Sequence, residues 1–352
     1  MSGKAARRVV VAMQHSAKGK PKIVRTCTLP LTSVRAVDLV VTELAVIAFA
    51  GGRATLVETA PGVEVEQVLD RRRPNSQCRR TYRRCDFHED TKMTVEVPRP
   101  ALMGRKALVV GVANEHSIAY GCAKAFRELG ADLALTYLNE KARPYVEPLA
   151  RALDASIFLP LDVATDDALE KVFDEVKSRW GRLDILVHSI AFAPKEDLQG
   201  GLLDCSAAGF AKAMDVSCHS FVRMAKLAAP LMTDGGTMFA MSYHGANKVV
   251  PTYNVMGPVK AALEACCRYL AYELGPKRIR VHAISPGPLK TRAASGLKDF
   301  DLLLNEAAQR APIGELVDIM DVGFTCAFLA TPYARRLSGE TLYVDGGVNI
   351  MG

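Results

Sequence analysis

A chain of 352 residues, 49% hydrophobic and with a formal net charge of +7, has room for two domains, or for one large domain and an appendage, and the composition of a water-soluble globular protein. Its most apolar stretch, 34–50, is broken by Asp38 and Glu43, so no run approaches the ~20 residues that span a bilayer, and the basic start is followed by too short an apolar run for a secretory signal. The nine cysteines contain no Cys-x-x-Cys pair and share no zinc spacing with histidine, so a cytoplasmic protein with reduced thiols, no metal and no membrane partner is expected.

In chain order, V-V-V-A-M and L-V-V-T-E-L-A-V-I-A-F within residues 1–70 are rich in β-branched residues and predict strands of a small fragment. Residues 71–100 form a basic linker. Seven arginines lie between Arg71 and Arg84, and by count residues 1–100 carry about +8 while the remainder carries about −1. An arm that binds nucleic acid, with Tyr82 for stacking, is one reading of this stretch. A solvated tether is the other and is the one adopted, with no nucleic-acid partner expected. Met93 stands just before the next region and is a candidate translation start.

Residues 101–352 alternate strand and helix signals. K-A-L-V-V-G predicts a strand and Ser117–Leu129 a helix stopped by Gly130. D-L-A-L-T-Y, a helix at Arg143–Ala152, S-I-F-L-P-L-D-V, a helix at Asp167–Trp180, and L-D-I-L-V-H-S-I-A follow. Strands near Gly236–Ser242 and Ile279–Ile284 and a final L-Y-V-D-G-G complete the series. Apolar runs alternating with helices imply a parallel sheet covered on both faces, and right-handed crossovers make it an α/β, doubly wound, Rossmann-type sheet with a small N-terminal appendage.

The turn after the first of these strands, G-V-A-N-E-H-S-I-A-Y-G, is not G-x-G-x-x-G. Gly111 permits a tight exit, and Ser117, followed by Ile118, can cap the helix and offer its hydroxyl to a phosphate at the helix start. Such a glycine is common in α/β proteins, so the turn alone does not specify a nucleotide. At the end of the second strand Glu140 could accept from a ribose 2′-hydroxyl, which favours NADH, or Lys141 and Arg143 could meet a 2′-phosphate, which favours NADPH. Asp162 and Val163 follow the third strand, where an adenine contact would be useful. The small residues of Ser189-Ile190-Ala191 end the fourth, where backbone can approach a ribose or nicotinamide.

Tyr253 and Lys260 stand seven positions apart, with Tyr243 ten upstream of Tyr253. On one helix seven steps come to roughly 700°, which puts both on one face about 10 Å apart, and the ammonium would favour a phenolate. Taken alone, the pair is better explained as a Tyr and a Lys on the wet face of an ordinary helix; its neighbours in the sequence reverse that.

Residues 104–352 resemble the NADH-dependent enoyl-acyl-carrier-protein reductases of bacterial fatty-acid synthesis, within the short-chain dehydrogenase superfamily. The resemblance rests on G-V-A-N-E-H-S-I-A-Y-G, H-S-I-A-F-A-P, S-Y-H-G-A, Y-N-V-M-G-P-V-K, I-S-P-G-P-L-K-T-R-A-A-S-G-L-K-D-F and S-G-E-T-L-Y-V-D-G-G, in family order. It implies that Tyr253 hydrogen-bonds the thioester carbonyl and stabilises an enolate. Lys260 would hold the nicotinamide ribose, and Tyr243 would line the acyl pocket. Leu289 would meet the carboxamide, Thr291 the pyrophosphate, and Phe192, Met256, Ala293 and Leu297 the acyl chain; Met256 and Leu297 are equally explained as core. Pro286 and Ala191 stand where some members have Ala and Gly. Residues 291–311 are expected to form a mobile lid. Acyl carrier protein as partner and a homotetramer are implied as well.

The ketone-reducing members of the superfamily use Tyr-x-x-x-Lys, whereas Gly257 stands four after Tyr253 here. A ketoacyl-thioester reductase is the rival reading, and the absent Tyr-x-x-x-Lys argues against it; an interaction module derived from a CoA-transferase is another. The latter arises because R-R-V-V-V-A-M-Q-H-S-A-K, K-I-V-R-T-C-T-L-P-L-T, V-D-L-V-V-T-E-L-A-V and E-T-A-P-G-V resemble the C-terminal end of the β subunit of 3-oxoacid CoA-transferases, without the part that holds the nucleophilic glutamate.

Overall fold

The computed structural model describes residues 9–14, 16–17, 20–21, 37–50, 53–70, 100–251, 253–289, 291 and 300–351, divided between two compact units, 1–94 and 95–352. In the first, β1 (Val10–Ala12) pairs in parallel with β4 (Leu39–Val41), which continues antiparallel into β5 (Ala45–Ala50) and β6 (Arg53–Thr59); β2 (Ser16–Ala17) and β3 (Lys20–Pro21) pair separately. The β-branched run from Leu39 to Phe49 is folded on itself as two antiparallel strands. The Thr42 hydroxyl accepts from the Ala45 amide at 3.0 Å and closes a tight turn between β4 and β5. Ala45, Ile47, Leu56 and, from α1 (Val65–Asp70), Val68 make a small buried cluster.

The second unit is built on seven parallel strands. In chain order they are β7 (Lys106–Val110), β8 (Asp132–Tyr137), β9 (Ile157–Pro160), β10 (Ile185–His188), β11 (Gly236–Met241), β12 (Ile279–Pro286) and β13 (Thr341–Val344). They lie side by side in the order β13-β12-β11-β10-β7-β8-β9. The strands are apolar at successive positions because both faces are covered. Leu108, Leu186 and Met238 enter one core, with Phe173, Phe221, Met224 and Leu263 from α4 (Ala168–Trp180), α7 (Ser220–Ala228) and α8 (Met256–Leu274). Their neighbours Val109, Val187 and Phe239 enter the other, with Phe126, Val146 and Val322 from α2 (Ile118–Glu128), α3 (Arg143–Ala152) and α10 (Ile319–Ala330). On this second face α2 and α10 cross at backbone contact: a Cβ added to Gly121 would lie 2.1 Å from the Ile319 carbonyl oxygen, and one added to Gly323 2.3 Å from that of Gly121.

Between β10 and β11 the chain runs through α5 (Lys195–Gln199), α6 (Ala207–Met214), a π-helical turn at Asp215–His219 and α7. The remaining helix is α9 (Phe300–Arg310), which occupies the second half of the stretch expected to be a lid; residues 292–299 lie outside the described residues. The α/β, Rossmann-type reading of the sequence therefore holds. Among the described residues, no helix is long and apolar enough to cross a membrane.

Candidate active site

After β7 the chain crosses to the face carrying α2, and after β10 it crosses to the face carrying α7. The connections that leave these adjacent strands therefore go to opposite faces, opening a crevice at the strand ends where α/β sheets place ligands. A cleft of about 220 Å³ opens there, lined mostly by apolar surface.

Its floor is backbone. Gly111 has φ +110°, and a Cβ there would lie 2.0 Å from the Ser189 carbonyl oxygen, so only glycine lets the two strand exits approach. Ser189, Ile190 and Ala191 line the same wall, and Ser117 and Ile118 bring the start of α2 to it. Ser117 departs from the sequence expectation. Its hydroxyl accepts from the Ala113 and Asn114 amides, each at 3.1 Å, and donates to the Asn114 carbonyl. One donor and two acceptor sites are all a hydroxyl has, so none remains for capping α2 or for a phosphate. The consequence favours an anion all the same: no side chain caps α2, and, although the Tyr120 and Gly121 amides donate to the Ser117 carbonyl, the helix start at Ser117 and Ile118 lies at the cleft.

The far wall carries the side-chain chemistry. Met241 and Ser242 leave β11, and Tyr243 follows. Burial pushes the Tyr243 phenol up to about 12, and its hydroxyl is buried without a hydrogen-bond partner among the described residues. The Tyr253 ring meets it edge-on with centroids 4.9 Å apart. Tyr253 does not share a helix with Lys260 as the spacing suggested, because α8 begins only at Met256. Asn254 has φ +41°, and its amide donates to the carbonyls of Leu198, at 2.7 Å, and Gly200. That left-handed turn ends the approach segment, and the Tyr253 ring reaches the cleft from the turn instead of from a helix face.

Lys260 is on α8, 4% exposed, and its Nζ donates to the Met241 carbonyl at 2.6 Å. Burial lowers it to about 8, opposed by Cys218, Cys267 and Glu264. At Tyr253 burial, and not the nearby ammonium, sets the direction of the shift. Burial first, then Tyr243 and Glu264, raise its hydroxyl above the usual phenol range, and the phenol stays protonated as a donor. Behind this wall the buried Glu264 accepts from the Ser242 hydroxyl at 2.5 Å and from the Asn247 amide at 3.2 Å, which fixes the strand exit that carries Tyr243.

Phe192 and Met256 line the cleft, as do Leu289 and Thr291 on its rim. Phe192 is held by its backbone: the Ser217 hydroxyl accepts from its amide at 2.8 Å and donates to its carbonyl at 2.9 Å. Ser217 lies in the π-helical turn, 25 residues away, and nothing in the sequence marks it. Asp162 and Val163 are outside the cleft lining. Asp162 turns back to the Ala164 amide at 3.0 Å, and the Val163 carbonyl accepts from Arg223 at 2.9 Å. Ala293 and Leu297 lie outside the described residues. At the end of β8, Glu140 accepts from the Tyr137 hydroxyl at 3.1 Å, while Arg143 is paired with Glu140 at 3.5 Å and Glu147 at 3.3 Å. Among the described residues no cluster of three or more His, Cys, Asp or Glu is placed to hold a metal.

The model of the family described as enoyl-(acyl carrier protein) reductase matches residues 111–349, and the chain belongs to that family. It is 45% identical over 254 residues to the enoyl-[acyl-carrier-protein] reductase [NADH] of Nostoc sp., covering 71% of this chain and 98% of that protein. Among solved structures it resembles the Anaplasma phagocytophilum enoyl-(acyl-carrier-protein) reductase in complex with NAD, at 43% identity and TM-score 0.69, over 71% of this chain and 96% of that one. It also resembles the Bacillus cereus enoyl-acyl carrier protein reductase with NADP+ and indole naphthyridinone, at 41% identity and TM-score 0.70, over 71% and 98%.

Proposed function

We propose that the protein reduces the trans-2,3 double bond of enoyl chains carried on acyl carrier protein, using NADH. The observation that carries this reading is the gathering of two protonated phenols and one ammonium, Tyr243, Tyr253 and Lys260, at a strand-end crevice with an uncapped helix start. The residues present fit a nicotinamide dinucleotide. Gly111 leaves room for close approach, the α2 start suits a pyrophosphate, and Lys260 suits the ribose hydroxyls. Ser189, Ile190, Ala191, Leu289 and Thr291 would complete its walls, and Asp162 and Val163 would meet the adenine only at the margin. When bound, the dinucleotide supplies a hydride to Cβ of the enoyl group.

The chain's own residues do the rest. The Tyr253 hydroxyl donates to the thioester oxygen as negative charge develops there. Burial keeps it protonated for that role and strengthens the hydrogen bond. Tyr243 lines the same cleft, and its buried hydroxyl, without a partner among the described residues, is a second donor in this reading. Phe192, Met256, Ala293 and Leu297 line the acyl slot in this reading. NADH is favoured over NADPH because Glu140 follows the end of β8, where its carboxylate would repel a 2′-phosphate, while Arg143 is already paired with two carboxylates. Acyl carrier protein is the carrier partner, and the location is cytoplasmic.

Exposed aromatic side chains support a homotetramer formed by residues 101–352: Tyr269 and Tyr272 on α8 and Phe324 and Phe328 on α10. Residues 1–70 are read as a CoA-transferase-like remnant without transferase activity, and 71–100 as a tether. The test is NADH and NADPH oxidation with crotonyl and acetoacetyl thioesters. Crotonyl turnover with NADH is expected; preference for acetoacetyl would replace this reading with ketone reduction.

A further inference from the structure

Two cysteines face each other between the π-helical turn and α8. Cys218 lies in the π-helical turn and Cys266 on α8, and their sulfurs are 3.8 Å apart. The two differ in access: Cys218 is buried and Cys266 partly exposed. They also differ in protonation. The hydrogen bond from Cys218 holds the Cys266 thiol down to about 7, while the same bond and burial push Cys218 up. A partly exposed thiol with a second sulfur in contact is the arrangement of a reactive cysteine and its resolving partner. The chain holds an internal contrast. Cys122 on α2 and Cys326 on α10 are also hydrogen-bonded, but both are fully buried, and burial raises Cys326.

We propose that Cys218 and Cys266 form a dithiol site for hydroperoxides, which closes to an intramolecular disulfide. The Cys266 thiolate attacks one peroxide oxygen. An S–O bond forms, the O–O bond breaks, and the departing oxygen leaves as water or an alcohol after taking a proton. The sulfur of Cys218 then attacks that of Cys266. The S–S bond forms, the S–O bond breaks, and hydroxide leaves with the Cys218 proton as water. Two thiols are oxidised by two electrons and one peroxide is reduced. Contact must shorten by about 2 Å to reach bonding distance. A π-helical turn is a local irregularity between two helices, and here it carries one of the two sulfurs, so the movement is confined to that turn and two side chains.

This site stands independently of the reductase reading, and its test needs no enoyl substrate. The reduced full-length protein, in whatever assembly it forms, is treated with hydrogen peroxide, blocked with N-ethylmaleimide, digested without reductant and mapped by mass spectrometry. A peptide linked through Cys218 and Cys266 should appear before Cys122, Cys267 and Cys326 lose their labelling, and dithiothreitol should reverse it. In Cys218→Ser the oxidised Cys266 should persist as a sulfenic acid trapped by dimedone; in Cys266→Ser, Cys218 should stay unoxidised. Circular dichroism melts of both variants confirm the fold. Absence of the linked peptide, linkage of Cys266 to a different cysteine, or oxidation of Cys122 and Cys326 at the same rate would overturn the proposal. Peroxide is given to the assembled protein, so shielding of α8 by a second copy would register as an unreactive Cys266 and would also count against it.

Discussion

At the scale of single residues, the candidate site is governed by what burial does to three titratable groups. Tyr253 stays a neutral donor, and Tyr253→Phe removes it while keeping the ring. Loss of one donor to a developing oxyanion is worth about 2.7–4 kcal/mol, so kcat for a crotonyl thioester should fall by roughly 10²–10³ with little change in the KM for NADH. Steady-state kinetics at wild-type rate would remove Tyr253 from its assigned role. Lys260 gives a pH signature. Its folded value of about 8 is set by burial, so the ammonium is intact below that pH and is lost as pH rises through it. If Lys260 holds ribose hydroxyls, the KM for NADH should rise above pH 8, and in Lys260→Met it should be high and flat across the same range. A wild-type KM that stayed constant from pH 7 to 9 would refute the assignment. The residues themselves were legible in the sequence, but their settings were not. Spacing arithmetic assumed one helix through Tyr253 and Lys260 and could not foresee the left-handed Asn254. Nor could it foresee that neighbouring amides would use up the Ser117 hydroxyl.

At the scale of elements, the strands were legible because a parallel sheet buried on both faces writes itself as short runs of apolar residues ending at glycine, proline or polar residues. The first helices were legible for a related reason: α2, α3 and α4 bury one face and expose the other, and Gly130 and Gly181 mark two of their ends. By contrast, α10 is apolar nearly all round, in I-M-D-V-G-F-T-C-A-F-L-A, and has no such periodicity. The stretch from α6 to α7 was equally opaque, since a π-helical turn breaks the 3.6-residue repeat. What seats α10 is a long-range contact. Arg280, on β12, donates to the carbonyls of Leu329, Ala330 and Ala334 and to the Thr237 hydroxyl, drawing together β11 and the C-terminal end of α10. A cation at a helix C-terminus meets carbonyls that have no partner within the helix. Arg280→Met keeps much of the apolar stem but strands these acceptors, and should cost about 3 kcal/mol. Urea unfolding should show this as a lower midpoint at unchanged slope; a midpoint within error of wild type would mean that the carbonyls find water instead.

At the scale of the whole molecule, the question is what residues 1–92 contribute. The relatives bear on it directly. The Nostoc protein is matched over 98% of its length by only 71% of this chain, so a polypeptide that corresponds to the C-terminal region exists as an entire protein. Within residues 95–352 the described structure is self-sufficient in its core: both faces of the sheet are covered by helices of the same unit, and the cleft is lined from Gly111 onward. Among the described residues of the first unit, the buried cluster is Ala45, Ile47, Leu56 and Val68. The excess charge between Arg71 and Arg84 is what a solvated tether would carry. Translation begun at Met93 should therefore give a soluble protein whose crotonyl-thioester turnover with NADH is within about twofold of the full chain, and whose thermal midpoint shifts by no more than a few degrees. Size-exclusion chromatography should place it at the same subunit number as the full-length protein, because the exposed aromatics of α8 and α10 are retained. An insoluble, inactive or differently assembled product would show that the N-terminal region has become a working part of the enzyme, and the tether reading of residues 71–100 would have to be abandoned with it.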